Sequence, residues 1–205
     1  MTSQGAILDR PVRGFLDQLA ARTPTPGGGG AAAMAAAMAA GLVAMAARFS
    51  AARRPGAGDL ADRADELRHR AAGLADLDAR AYAAVLDARR GPGDEEQRRP
   101  RVREALHGAA VVPLEIAEIG AQVAELAVRV AQAGNPNLRG DAVTGAVLAA
   151  AAARSAACLV DINAGLGGLD PGLSRRAGQA AADASAAADR VTTVALSTER
   201  VPQEP

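Results

Sequence analysis

The chain has 205 residues, with 23 basic and 23 acidic side chains and no formal net charge, so it lacks the positive field that nucleic-acid binding requires. Every basic residue is arginine, which excludes Schiff-base chemistry and a lysine general base; one cysteine, Cys158, excludes a disulfide framework or a thiolate metal site, and two histidines, His69 and His107, argue against a histidine-rich metal centre. Hydrophobic residues make up 49% of the chain and aromatics only 1%, with 55 alanines in their place, a composition that favours helix over sheet and lets helix backbones approach closely.

In chain order, a first helix is expected over 6–21, with Ile7, Phe15, Leu16 and Leu19 as its apolar set. Thr23-Pro24-Thr25-Pro26 stops it, and Gly27 to Gly30 lead into a second, apolar helix over 31–53. Its apolar run, 31–47, is mostly alanine and shorter than the roughly 20 strongly apolar residues of a spanning helix, so it is expected at the centre of a bundle, with no membrane partner. A third helix, capped by Asp59, is predicted to reach Arg90, and a fourth to run over 97–133, kinked or split by Pro113. Between them lies the polar stretch Asp94-Glu95-Glu96-Gln97-Arg98-Arg99, read as a solvated loop and helix start. Gly134-Asn135-Pro136-Asn137 precedes a fifth helix over 141–163, and Asp170-Pro171 opens a last helix over 172–198, beyond which the tail 201–205 should fray. The expectation is a single domain, 1–205: an all-α, up-and-down or crossed bundle of about six helices around an alanine-rich central one. No secretory signal pattern is apparent, so a cytoplasmic location is expected.

The most specific local feature is Thr23-Pro24-Thr25-Pro26-Gly27-Gly28-Gly29-Gly30 ahead of a helix. Glycines there expose N–H groups at a positive helix end, which suits an anion; a flexible linker or a close helix crossing is the competing reading. Two carboxylates stand out by position: Asp141 at the start of a helix next to Gly140, alternatively a plain N-cap, and Asp78 in mid-helix, either a solvated residue or an inward-facing carboxylate. Tyr82, one turn beyond Asp78, could stack on a ligand ring or pack in the core. Asn135 and Asn163 could hydrogen-bond a ligand edge or cap helices. Cys158 reads as a small buried hydrophobe, His107 as an ordinary core or surface residue, and Arg53-Arg54 and Arg175-Arg176 as solvated pairs or holders of an anionic tail.

Several of these segments together resemble the cyclodeaminase/cyclohydrolase family. They are Phe15-Leu16, Leu19-Ala20 and Arg22 to Gly29 with the alanine-rich helix behind them, then Asp78-x-x-Ala81-Tyr82-x-x-Val85. Arg103-x-Ala105, Ala109 and Val112-Pro113-Leu114-x-Ile116-Ala117 come next, followed by Gly134-Asn135-Pro136-Asn137 with Asp141, and Val160-x-Ile162-Asn163. The likeness covers roughly 13–165 in the family's order. It departs at Gly30 and Gly140, where the family usually has serine, at Leu159, where it tends to have asparagine, and at Gly93, where Pro-Lys is common; Arg89 or Arg90 would have to stand in for that lysine. The resemblance implies a homodimer with a folate groove near the subunit interface. It also implies a one-carbon enzyme that hydrolyses 5,10-methenyltetrahydrofolate to the 10-formyl form or deaminates 5-formiminotetrahydrofolate. The expected site is Asp141 and Asp78 as catalytic groups, with Pro26, Gly27, Gly28, Gly29, Tyr82, Asn135 and Asn163 binding substrate. No metal and no nicotinamide cofactor are expected. The alternatives are a non-catalytic helical scaffold and an enzyme acting on another cyclic amidine.

Overall fold

The computed structural model describes residues 6–51, 56–133 and 135–197; Arg53-Arg54, Gly134 and the terminal tail lie outside the described residues. The order is a 3-10 turn at Ile7–Asp9, then α1 (Val12–Leu19), α2 (Gly28–Ala51), α3 (Ala57–Arg90) and α4 (Glu95–Ala133), a second 3-10 turn at Pro136–Leu138, and α5 (Arg139–Gly167) and α6 (Pro171–Ser197). The described residues form an all-α bundle. α4 and α5 share the broadest contact, α2 packs on α3, α5 and α4, and α6 lies across α4 and α5. The alanines of α2 are buried as expected, but α4 and α5 share the centre with it.

Local chemistry explains where the elements differ from expectation. Pro11 divides the first helix: it forces Arg10 into an extended conformation (ψ 145°) and stands as the cap of α1. Glycines 28–30 are the first turn of α2 rather than a loop. α3 begins at Ala57 behind Gly56 (φ 81°), leaving Asp59 in its first turn instead of at the cap. α4 starts two residues early because Asp94 and Gln97 form a reciprocal capping box. The Gln97 N–H donates to Asp94 Oδ1 (2.9 Å) and the Asp94 N–H to Gln97 Oε1 (3.1 Å). Pro113 does not split the helix, since both Pro100 and Pro113 are accommodated inside α4. α5 runs past 163 to Gly167, and Gly168, with a φ of 56°, closes it, the Leu169 N–H donating to the Ala164 carbonyl (3.0 Å).

Close approach is enforced at two glycines. A Cβ on Gly120 of α4 would lie 2.8 Å from the Ala149 carbonyl oxygen and 2.9 Å from the Ala153 Cβ of α5; one on Gly145 of α5 would lie 3.0 Å from Val43 Cγ2 and 3.2 Å from the Ala39 carbonyl oxygen of α2. The Gly145–Val43 contact at one end and the Gly28–Leu159 contact at the other show that α2 and α5 run antiparallel. Both helices are long and apolar enough to cross a membrane by length and composition, yet each lays its alanines against the other and against the bundle.

Because the obstacle at Gly120 is a backbone carbonyl, Gly120→Ala should cost about 1–3 kcal/mol by overpacking. A fall in the urea midpoint with an unchanged denaturant slope would show it; a variant as stable as the native chain would refute this packing.

Candidate functional site

A cavity of about 420 Å³ opens where the start of α2 meets α3, α4 and α5. α3 supplies Asp78, Tyr82, Val85, Leu86 and Arg89, one face of the helix at three- and four-residue steps. α5 supplies Leu159, Ile162, Asn163 and Leu166 on the same principle, and α4 contributes Leu106 and Ala109. The mouth is completed by Pro24, Thr25 and Gly27 to Gly29. Most of this wall is apolar; Asp78 and Arg89 are its two charged members. They stand eleven residues apart on one helix, or about 16 Å along its axis.

The glycine run does favour an anion, and the chain supplies that anion itself. The Gly30 N–H donates to Asp78 Oδ2 at 3.1 Å, at the positive end of α2. A Cβ on Gly29 would sit 1.9 Å from Asp78 Oδ1, so only glycine leaves room for the carboxylate. Burial raises the Asp78 carboxyl above its ordinary range, and the Gly30 hydrogen bond pulls it part of the way back.

The remaining predicted residues fall into two groups. Gly27, Gly28, Gly29, Asp78, Tyr82 and Asn163 come together at this cavity. Tyr82 is 45% exposed, and Asn163 caps nothing, its Nδ2 donating to the Ala109 carbonyl at 2.8 Å. Pro26 is buried just behind the mouth, beside a smaller cavity shared with Ile7 and Asp76. Asn135 and Asp141 stand at the far end of α5, about 33 Å along its axis from Asn163. There the Asn135 N–H donates to Ser50 Oγ (2.9 Å) and its Oδ1 accepts from the Asn137 N–H (3.1 Å), which ties the turn to the end of α2. Asp141 is half-buried in the first turn of α5. Arg176 pairs with Glu118 (2.7 Å). Cys158 is exposed rather than buried, because it falls on the outward face of α5.

Sequence reasoning passed over Leu86, Leu106, Leu159, Ile162 and Leu166 as wall residues. Stepping by three and four from Asp78 and Asn163 would have found those on α3 and α5.

A second, open groove of about 1010 Å³ continues from the cavity, sharing Arg89, Leu106 and Leu166 with it. Its walls add Arg98, Arg99 and Arg103, with Glu95 and Glu96 at the start of α4. Arg98 donates to the Gly93 carbonyl, and Arg101 beside it to the Pro92 carbonyl (2.5 Å), which holds the α3–α4 loop. Arg89, Arg99 and Arg103 have no acidic partner within ion-pair reach among the described residues.

The raised Asp78 carboxyl has a consequence for stability. The folded chain binds that proton more tightly than the unfolded chain. Its contribution is therefore fully present below the unfolded value and lost as the pH rises through the folded one. At neutral pH the charge is held at a cost. Asp78→Asn, whose Oδ1 can still accept from Gly30, should melt no lower than the native chain at pH 7, and this advantage should vanish on acidification below the carboxylate range. Thermal melts across pH decide it: a variant clearly less stable at pH 7 would contradict the assignment.

The formiminotransferase-cyclodeaminase family matches residues 11–168. The chain is 39% identical over 160 residues to a methenyltetrahydrofolate cyclohydrolase of Methylorubrum extorquens, covering 73% of this chain and 77% of that one. It is 32% identical over 145 residues to the formimidoyltransferase-cyclodeaminase of Mus musculus, covering 63% of this chain and 26% of that longer one. Among solved structures, formiminotetrahydrofolate cyclodeaminase from Thermotoga maritima superposes with a TM-score of 0.83 at 24% identity, covering 94% of this chain and 99% of that one.

Proposed function

The chain belongs to the formiminotransferase-cyclodeaminase family, and from that premise we propose that it is a cytoplasmic folate enzyme that hydrolyses 5,10-methenyltetrahydrofolate to the 10-formyl form. The observation that carries this reading is the half-buried Asp78 carboxylate at the mouth of a mostly apolar cavity, held by the Gly30 N–H. In the methenyl substrate the bridging carbon joins N5 and N10 as a cationic amidinium, already electrophilic enough to react with water without a metal or a nicotinamide.

Asp78 then has two tasks. Its charge balances the cation, and its oxygen takes a proton from the attacking water as the C–O bond forms. The same carboxyl returns that proton to N5 as the C–N5 bond breaks, and the hydroxyl proton leaves to solvent, so that cation and water become 10-formyl product and one proton. A carboxyl with a raised pKa suits both directions of transfer. Tyr82 offers a ring face to the pterin or benzoyl group, and the glycine turn allows close approach. Deamination of 5-formiminotetrahydrofolate is the second reading, supported by the cyclodeaminase names among the relatives; it also needs a proton donor for the leaving ammonia.

Charge orients the substrate. The cationic bridge belongs at Asp78, and the glutamate tail at the other end of a folate belongs at Arg89 and at Arg99 and Arg103 of the adjoining groove, which have no acidic partner among the described residues. Loss of the methenyl absorbance is the assay. The native chain should exceed the buffer blank by orders of magnitude, Asp78→Asn should lose roughly 10²–10⁴-fold in kcat, and Arg99→Ala with Arg103→Ala should raise KM with kcat little changed. A native rate equal to the blank would reject the hydrolase reading, and the same protein then turning over the formimino substrate would favour deamination.

We also propose that the working form is a homodimer through the outer face of α2 and α5. Met38, Phe49, Val147 and Ile162 are exposed there, and α2 carries no charge from Gly28 to Ala47. A two-fold running across these antiparallel helices would bring the Asp141 end of one copy to the Gly28 end of the other, which gives Asp141 and Asn135 a route to a shared site. Val147→Glu should convert a dimer to a monomer in sedimentation; a native chain that already sediments as a monomer would end this proposal.

A further inference from the structure

Asn163 reaches from α5 to the Ala109 carbonyl of α4, both at the cavity wall. Four residues beyond Ala109 lies Pro113, fully buried inside α4. A helical N–H at 113 would bond the carbonyl of 109, and proline has none. The carbonyl that Asn163 engages is thus the one that Pro113 leaves without a helical donor. A carbonyl only accepts, so Asn163 must turn its NH₂ group toward α4, and Oδ1 is the amide atom left for a ligand.

We infer that Pro113 is a positioning residue for the ligand site. By withholding its N–H it selects one of the two orientations of the Asn163 amide, and the cavity gains a neutral acceptor beside the Asp78 carboxylate. The flipped amide would offer a donor there instead. The arrangement selects a ring edge that presents N–H groups, and it disfavours an analogue whose corresponding atoms only accept. The identity of that ring as a reduced pterin rests on the function proposed above; the orientation of the amide does not.

The test uses the full-length chain as Pro113→Ala, Asn163→Ala and the double variant. The Asn163 side-chain NH₂ signals in a nitrogen-resolved proton spectrum, identified by their loss in Asn163→Ala, need no ligand. They should exchange with solvent at least severalfold faster in Pro113→Ala, although that variant, with its helical bond restored, melts no lower than the native chain. With methenyltetrahydrofolate, Pro113→Ala and Asn163→Ala should each raise KM about tenfold, a change of the size expected for one lost hydrogen bond, and the double variant should be no worse than Asn163→Ala alone. Unchanged exchange in Pro113→Ala overturns the inference. So do losses that multiply in the double variant, because Pro113 would then not act through Asn163. A native chain with no folate turnover but the expected exchange behaviour keeps the positioning role and removes only the pterin.

Discussion

The hydrogen bond between the Gly30 N–H and the Asp78 carboxylate joins the start of α2 to the middle of α3, and the site depends on it. A carboxylate at the N-terminus of a helix is favourable in itself, but here it also needs a position without a Cβ, which Gly29 provides. With that contact made, the face of α3 that follows Asp78 has one possible direction, and Tyr82, Val85, Leu86 and Arg89 line up along it. The far wall is set by a different constraint. Gly120 and Gly145 bring α4 and α2 to within backbone contact of α5, which draws the cavity-facing side of α5 toward α3. Site and bundle therefore rest on the same device, the removal of side-chain volume where two helices must touch.

Much of the fold was legible because alanine richness, apolar periodicity and proline-glycine breaks are local signals. The ends of elements were less so. Pro11 was visible, but its effect on Arg10 competes with an apolar pattern that runs straight through it. The Asp94–Gln97 capping box is a pair signal hidden within a charged stretch that reads as solvated loop. At the site, Asp78, Tyr82, Asn163 and the glycines were recognised one by one, but their meeting at one cavity depends on how α2, α3 and α5 pack. Asp141 and Asn135 show the limit most clearly. Nothing in their local sequence separates them from Asp78 and Asn163, and only the length and antiparallel course of α5 put them at the opposite end of the bundle. Cys158 was misjudged for a related reason: a small residue in an alanine-rich helix carries almost no information about which face it occupies.

The chain's exclusive use of arginine bears on the chemistry. Arg89 is the one cation of the cavity wall among the described residues, and a guanidinium supplies charge and hydrogen bonds rather than acting as a proton carrier. In the proposed reaction, proton transfer within the cavity wall therefore falls to the Asp78 carboxyl, with Tyr82 on the same wall. One carboxyl is enough when the substrate arrives as a cation, since the proton taken from water can be handed to the departing ring nitrogen and no net protonation is required before bond breaking. Expelling ammonia adds a demand, because the leaving nitrogen must take up a proton while N10 gives one up as its bond to the bridging carbon forms. In the proposed hydrolysis, arginine in place of a titratable cation thus leaves Asp78 as the proton carrier of the wall, while Arg89, Arg99 and Arg103 bring positive charge to the adjoining groove beside Glu95 and Glu96.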